Sequence, residues 1–250
     1  MKYNWNWGIF WQLSPDGRGT YLDTLIAGLG WTLATALAAW VIALILGMTV
    51  GVTRTTPVRW LRLLGDAWVE IFRNMPLLVQ MFLWFFVFPE LLPAAAGAWL
   101  KQLPRSAFYT AVVCLGLYTS ARVAEQTRAG IQSLAGGQRM AGIALGLTLP
   151  QTYRFVLLPM ALRIVMPPLT SEFLNIIKNS SIALTIGLLE LTARARAMSE
   201  FTFQVFEAFT AATILYLLIN IVVVFGMRWV ERRLNVPGLI AVGGAPQAGH

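Results

Sequence analysis

The chain has 250 residues, of which 57% are hydrophobic and 12% are charged, and its formal net charge is +8. A soluble domain of this length carries about twice that charged fraction, so the composition indicates an integral membrane protein. Apolar runs of about twenty or more residues favour transmembrane helices over a β-barrel, whose strands alternate over about ten residues. Lys and Arg cluster at the ends of these runs, as the positive-inside rule requires, so the charge does not indicate a nucleic-acid partner.

Five transmembrane helices are predicted, in an all-α fold. Residues 1–23 hold three tryptophans among polar residues and no apolar core, which indicates a periplasmic or interfacial segment rather than a signal peptide. Residues 24–230 are assigned to the transmembrane domain and residues 231–250 to a cytoplasmic tail. The predicted spans cover about residues 24–52, 64–88, 106–130, 160–187 and 209–229.

The second predicted span is interrupted by polar residues. Glu70 and Arg73 are three residues apart and can pair along one helix face. Pro76 removes a backbone hydrogen bond and is expected to kink or break the helix, and Gln80 follows inside the apolar run. After this span, a turn-rich connection is predicted from Pro89 to Arg105.

The third span ends in a charged turn. Arg122, Glu125 and Arg128 follow one another at intervals of three, which favours an ion-pair ladder near the cytoplasmic interface over a direct contact with a substrate. In the fourth span, Pro167-Pro168 is expected to end or bend one helix and start another. A polar connection is predicted from Glu190 to Glu200.

A polar stripe follows the two prolines of the fourth span. Glu172, Asn175 and Asn179 lie within about 60° of arc on an α-helix, and Lys178 lies beside them. Polar groups at this depth must face the bundle interior or a water-filled path. The stripe is therefore either part of a translocation path or a set of polar contacts between packed helices.

Between the third and fourth spans, residues 138–159 have the pattern of two short helices. Small residues dominate residues 138–145, and Gly146 suits the left-handed position just past a helix end. Thr148 and Gln151 form a T-x-x-Q capping box, which predicts a second helix ending before Pro159. The spacing alone fits a docking element that transmits motion and a plain amphipathic surface helix equally well.

The distribution of Lys and Arg predicts the orientation of the chain. With the amino terminus outside, the inside set is Arg54, Arg59, Arg62, Arg122, Arg128, Arg139, Arg154, Arg163, Arg228, Arg232 and Arg233. The smaller outside set is Lys2, Arg18, Lys101, Arg105, Arg194 and Arg196. This asymmetry predicts a periplasmic amino terminus, a cytoplasmic carboxy terminus and a cytoplasmic position for residues 138–159.

The sequence lacks the motifs of the common enzyme classes. It contains no G-x-x-x-x-G-K-[ST], H-E-x-x-H or G-x-S-x-G, so no ATP hydrolysis, metal site or serine nucleophile is predicted. The single histidine, His250, lies in a Gly-rich tail, and the single Cys114 excludes an intrachain disulfide. One alternative is a proton- or ion-coupled secondary transporter that uses intramembrane glutamates, although no inverted repeat is recognisable. Another is a non-transporting membrane scaffold.

Several motifs resemble those of a known family. The segment from Ala141 to Gly146, followed by V-L-L-P, resembles the "EAA" coupling loop of ABC-importer permeases, in which Pro159 matches the closing proline. Residues 69–80, 120–133 and 158–181 are similar, in the same order, to segments of the polar amino-acid branch, and the carboxy-terminal half looks most like glutamate/aspartate importer permeases. Two positions depart from the loop pattern. Met140 stands where glutamate is usual, and Gly142 replaces the second alanine.

The resemblance implies the type I ABC-importer permease fold in a bacterial inner membrane, with cytoplasmic coupling helices at residues 138–158. It implies a second homologous permease subunit or a self-dimer, an ABC ATPase dimer that binds the ATP, and a periplasmic solute-binding protein. The chain itself would hold no cofactor or metal and would move a polar, acidic amino acid by alternating access. The implied coupling residues are Gln138, Arg139, Met140, Ala141, Gly142, Ala144, Gly146, Thr148, Gln151 and Pro159. The candidate path residues are Glu70, Arg73, Gln80, Glu172, Asn175, Lys178 and Asn179.

Overall fold

A computed structural model of the chain describes residues 3–15, 17, 19–134 and 136–234, and these residues are almost entirely helical. A 3-10 turn at Trp7–Trp11 precedes the helices. The helices are α1 (Tyr21–Thr53), α2 (Arg59–Asn74), α3 (Leu77–Leu91), α4 (Ala94–Gln102), α5 (Ser106–Gln132), α6 (Gly136–Ala144), α7 (Leu149–Ile186), α8 (Leu191–Thr202) and α9 (Val205–Leu234). Residues 235–250 of the predicted tail, and Lys2 and Arg18 of the charge count, lie outside the described residues.

The all-α membrane architecture predicted from composition is confirmed. Within the described residues, α1, α5, α7 and α9 are each long and apolar enough to cross a membrane, and α2 and α3 together supply a fifth candidate span. The two halves of that fifth span are bent by 100° at Met75 and Pro76, both of which have extended backbone. Pro76 therefore breaks the helix, as its missing backbone N–H suggests.

The core forms where α1 packs along α5, and residue size determines which face of α1 is used. Helix α1 is apolar on all sides, so polarity cannot select its buried face. Its alanines and glycines allow the close approach instead. A Cβ atom at Gly47 would lie 2.5 Å from Val123 Cβ, and one at Gly51 would lie 2.6 Å from Thr127 Cβ. Side chains larger than hydrogen at these two positions would push the helices apart.

Two prolines inside apolar helices are accommodated by single π-turns. The π-turn Leu83–Val87 precedes Pro89, and the π-turn Tyr153–Leu157 precedes Pro159. After each turn, the next backbone N–H donates to the carbonyl oxygen five residues earlier, which shifts the register just before the proline ring. In a regular α-helix that ring would clash with the carbonyl four residues back. The prediction that a helix ends before Pro159 is therefore wrong, because α7 continues through it.

Two other predictions of broken or irregular backbone are also wrong, and a third connection is a helix. Pro167-Pro168 lies inside the helical stretch Leu158–Asn179. A break at membrane depth would leave more backbone groups without hydrogen bonds than the two prolines do, so the helix continues. The predicted turn-rich connection from Pro89 to Arg105 contains α4, which Gly97 allows to pack directly on the Pro89 carbonyl. The predicted polar connection from Glu190 to Glu200 lies mostly in α8.

Candidate coupling site and translocation path

The turn between α6 and α7 has the geometry of a Schellman motif. Gly146 has φ +83°, the left-handed conformation predicted for it. The Gly146 N–H donates to the Ile143 carbonyl at 2.9 Å, and the Leu147 N–H donates to the Gly142 carbonyl at 3.1 Å. These two bonds satisfy carbonyls that a helix end otherwise leaves unpaired. The end of α6 is therefore defined by backbone hydrogen bonds that depend on the glycine.

The start of α7 is stabilised by the residues of the predicted capping box. The Gln151 Oε1 atom accepts hydrogen bonds from the Thr148 backbone N–H at 2.8 Å and from the Thr148 hydroxyl at 2.9 Å. Gly142 packs against the same helix, since a Cβ atom there would lie 2.9 Å from Thr152 Cγ2. The replacement of the usual alanine by Gly142 therefore allows α6 to pack closely on the start of α7.

The outer surface of this helix pair carries large apolar side chains. Met140 and Leu145 are 74% and 82% exposed, and Ile143 and Phe155 are also exposed. The small residues Ala141 and Ala144 are exposed between them, as is Arg139. Apolar side chains exposed at this density are typical of a surface that a partner covers. We name Met140, Ile143, Leu145 and Phe155 the apolar coupling surface.

The inner side of the helix pair is joined to the first span. Tyr153, which begins the π-turn of α7, is buried and donates its hydroxyl to the Thr55 carbonyl at 2.8 Å. Thr55 lies two residues after the end of α1. The start of α7 is thus hydrogen-bonded to the loop that follows the first span.

A buried arginine joins three helices next to this contact. The Arg54 side chain is 6% exposed and lies 2.7 Å from an Asp66 carboxylate oxygen on α2 and 2.6 Å from one of Glu125 on α5. Burial by itself lowers the pKa of the Arg54 guanidinium, but its hydrogen bonds to Glu125 and Asp66 outweigh burial and raise the pKa. Replacing Asp66 or Glu125 by a neutral residue would leave the buried positive charge of Arg54 with only one carboxylate partner.

The predicted ion-pair ladder along α5 does not form. Glu125 pairs with Arg54, and Arg128 lies 4.0 Å from Asp66. Arg122 lies 4.0 Å from Glu172 on α7. Each charged residue of the turn therefore interacts with a different helix, so the prediction of mutual neutralisation within α5 is wrong.

The first three candidate path residues lie around the bend between α2 and α3. Glu70 and Arg73 are both exposed, and no ion pair joins them in the described part of the chain, so the predicted pairing is wrong. Gln80 is 1% exposed, and its Nε2 atom donates to the Phe72 carbonyl at 2.9 Å and to the Met75 carbonyl at 3.0 Å. The Gln80 side chain thus caps the end of α2 and holds the bend.

The other four candidates lie on α7. Glu172 is buried beside Arg122, and its Oε2 atom has no hydrogen-bond partner. Asn175 and Asn179 are half-buried, whereas Lys178 is exposed. The 3-10 turn that follows Asn179 packs against α3, which brings the two groups of candidates into neighbouring elements. All seven residues are described, but the structure does not join them by hydrogen bonds or ion pairs to one another.

Two buried carboxylates were not recognised from the sequence. Glu190 is fully buried and caps α8 by accepting hydrogen bonds from the Thr192 and Ala193 backbone N–H groups at 3.0 and 2.8 Å. Burial raises the pKa of the Glu190 carboxyl, and the hydrogen bonds that it accepts oppose this. Glu207 is also fully buried and accepts a hydrogen bond from the Asn6 backbone N–H at 2.7 Å. In both places, the sequence has a single glutamate between apolar residues, and this pattern could have indicated a buried carboxylate.

Comparison with known proteins assigns this architecture to a family. Residues 43–236 match the family described as "Binding-protein-dependent transport system inner membrane component". The chain belongs to this family. It is 48% identical to the glutamate/aspartate import permease protein GltJ of Escherichia coli (strain K12), over 95% of this chain and 98% of that protein. It is 37% identical to the probable glutamine ABC transporter permease protein GlnM of Bacillus subtilis (strain 168), over 88% of this chain and 95% of that protein.

Solved structures agree with the family assignment. A crystal structure of an amino acid ABC transporter with histidines matches with a TM-score of 0.73 and 29% identity, over 85% of this chain and 95% of that one. An inward-facing MetNI methionine ABC transporter has the same fold, with a TM-score of 0.73, 20% identity and coverage of 90% and 100%. The resemblance to ABC-importer permeases, their type I fold and the inner-membrane location are therefore confirmed.

Proposed function

We propose that this chain is the permease subunit of an ATP-driven importer that carries glutamate and aspartate from the periplasm to the cytoplasm. The observation that carries the proposal is the 48% identity to a glutamate/aspartate import permease over nearly the full length of both chains. The proposed partners are an ABC ATPase dimer that binds the ATP, a periplasmic solute-binding protein, and a second permease subunit that is a homologue or another copy. The chain itself is a non-catalytic transport subunit.

In the proposed orientation, the amino terminus is periplasmic, and α6 faces the cytoplasm and docks on the ATPase. The exposed apolar coupling surface supports this role because a partner would cover it. Met140 belongs to that surface and lies on α6, where the family pattern has glutamate. We propose that Met140 makes an apolar contact with the ATPase, and that Gln138 and Arg139 supply the polar contacts.

The continuity of α7 suggests how motion would pass from the ATPase to the membrane domain. Helix α7 runs from Leu149 through both proline sites to Ile186 without a break, so a displacement at its start moves its membrane segment as well. The Tyr153 hydroxyl would carry the same displacement to Thr55 and the end of α1. We propose that these two connections produce alternating access when the ATPase dimer closes.

For the translocation path, we propose that Arg73 and Lys178 meet the carboxylates of the substrate. Both are exposed, and within the described residues neither has an ion-pair partner, so their charges are available to an anion. Asn175 and Asn179 flank Lys178 and would supply hydrogen bonds. Glu172 is buried beside Arg122 and Gln80 is bonded to backbone carbonyls, which suits structural roles.

Reconstituted uptake tests this function. The complete importer in proteoliposomes, supplied with ATP inside and the binding protein outside, is expected to accumulate labelled glutamate and aspartate. Unlabelled aspartate should compete with glutamate, whereas glutamine and histidine should not. Preferential uptake of glutamine would refute the acidic specificity. Uptake driven by a proton gradient without the ATPase would instead support a secondary transporter.

A further inference from the structure

A cavity of about 340 Å³ lies beside the coupling helix α6, where the loop after α1 meets α2, α5, α6 and α7. Four of these five elements contribute one arginine each to the lining: the loop after α1, α2, α5 and α6 contribute Arg54, Arg62, Arg128 and Arg139. Helix α7 contributes Tyr153 and Leu157. The apolar part of the lining is Ile131, Leu134 and Leu157. A cavity with four guanidinium groups and an apolar wall has the character of a site for an amphiphilic anion.

The positive charge of this cavity is only partly neutralised by the protein. Asp66 and Glu125 compensate Arg54, and Arg128 is only 4.0 Å from the already shared Asp66. The Arg128 Nε atom is buried without a hydrogen-bond partner. Within the described part of the chain, Arg62 and Arg139 have neither an ion-pair nor a hydrogen-bond partner.

The pattern of donors favours phosphate as the bound group. Planar guanidinium groups match phosphate oxygens through paired hydrogen bonds, and a buried unpaired N–H costs free energy that an anion would recover. The cavity lies where α1 and α5 end, so its height corresponds to the edge of the membrane. Basic pockets between transmembrane helices on the cytoplasmic side are suited to lipid headgroups.

We propose that this cavity binds the phosphate of an anionic phospholipid, whose hydrophobic part lies against Leu134 and Leu157. The bound headgroup would join Arg139 on the coupling helix to Arg62 on α2 and Arg128 on α5, and so fasten α6 to the membrane domain. In the orientation proposed above, the cavity faces the cytoplasm, so the lipid would come from the inner leaflet of the membrane. The binding itself does not depend on which substrate is transported.

The test uses the purified, delipidated importer complex and short-chain lipids as probes. Dioctanoyl phosphatidylglycerol, dioctanoyl phosphatidylcholine and inorganic phosphate are titrated separately, and bound ligand is counted by native mass spectrometry. We expect selective binding of the phosphatidylglycerol. Each arginine near the headgroup contributes about fivefold to the affinity, so the double variant R62Q/R139Q should weaken phosphatidylglycerol binding about twenty-five-fold. Both side chains are exposed, so the permease subunit of the variant should remain folded. Because Arg139 is also a proposed contact of the ATPase, bound lipid is counted per permease subunit, whether or not the ATPase stays bound.

The control is R59Q, which removes an exposed arginine from the same helix as Arg62 but outside the cavity lining. It should change phosphatidylglycerol binding less than twofold. Equal binding of the two lipids, or an unchanged affinity in R62Q/R139Q, would overturn the proposal. So would inorganic phosphate that binds as tightly as the lipid, which would indicate a free-anion site. Loss of the ATPase with unchanged lipid binding would show that the arginines serve a protein contact instead. Glutamate uptake is not a readout, so failure of the transport proposal remains distinguishable.

Discussion

Replacement of Gly146 by valine is expected to uncouple the transporter without unfolding its membrane domain. Gly146 has φ +83°, and an added Cβ atom would meet nothing within 4 Å, so the substitution creates backbone strain without a steric clash. Holding a non-glycine residue in this region costs about 1–3 kcal/mol. At about 1.4 kcal/mol for each factor of ten, the intact turn becomes roughly five- to hundredfold less populated.

Gly137 provides a matched control for this substitution. It lies in α6, the helix that ends just before Gly146, its surroundings are equally open, and its φ is not positive. ATP-dependent uptake in proteoliposomes should fall at least several-fold in Gly146→Val and remain near normal in Gly137→Val, with equal amounts of both proteins in the membrane. Uptake by Gly146→Val above half of the normal rate would refute the role of this turn. An equal loss in both variants would also refute it, since the effect would then not depend on φ.

Three further predictions concern two contacts in the structure and one proposed contact with the substrate. Gln80→Leu leaves two carbonyls at the α2–α3 bend without their donor, so the free energy of unfolding should fall by about 1–3 kcal/mol in thermal unfolding of the purified complex. Gly142→Ala should lower uptake, because the added Cβ atom meets Thr152 Cγ2. Thr152→Ser removes that methyl group, so the double variant should recover uptake. We expect a coupling energy between the two changes of about 0.5–3 kcal/mol. Lys178→Ala should raise the KM for glutamate about tenfold, because a charge-assisted hydrogen bond to the substrate is lost. Lys178→Arg keeps the positive charge, so its KM should lie between those of the unchanged protein and Lys178→Ala.

Controls and contrary outcomes are available for all three. Gln102→Leu changes an exposed glutamine in α4 and should leave thermal unfolding unchanged. Lys101→Ala removes a lysine that is already paired with Glu90 at 2.5 Å and should leave the KM unchanged. Unaltered unfolding in Gln80→Leu would contradict its capping role. Additive effects of the Gly142 and Thr152 changes would contradict their contact, and an unchanged KM in Lys178→Ala would remove Lys178 from the path.

Local features of the fold could be predicted from the sequence because they depend on neighbouring residues. The left-handed conformation of Gly146 and the contact between Thr148 and Gln151 involve groups only a few residues apart. The break at Pro76 likewise follows from the covalent structure of proline. The apolar spans follow from composition, because a helix in lipid must satisfy its own backbone groups and cover them with apolar side chains.

Predictions about the other prolines failed because a local preference competed with the surroundings. Pro159 and Pro167-Pro168 remain inside α7, since continuous helix keeps most backbone groups paired at membrane depth. A π-turn before Pro159 relieves the clash that would otherwise favour a break. Pro76 lies instead at a bend where Gln80 supplies donors to the exposed carbonyls, so an interruption is tolerated there.

The sequence by itself determined the membrane class, the apolar segments, the glycine turn after the coupling helix and, through its motifs, the permease family. Only the tertiary structure decided which charged groups meet. Glu125 could pair within α5 by spacing, yet it bonds Arg54, because the glycines of α1 allow the two helices to approach closely. Coulomb energy depends on distance in space, and helix packing sets that distance for residues far apart in the chain. For the same reason, the cavity arginines on four separate elements form one site only in the folded protein.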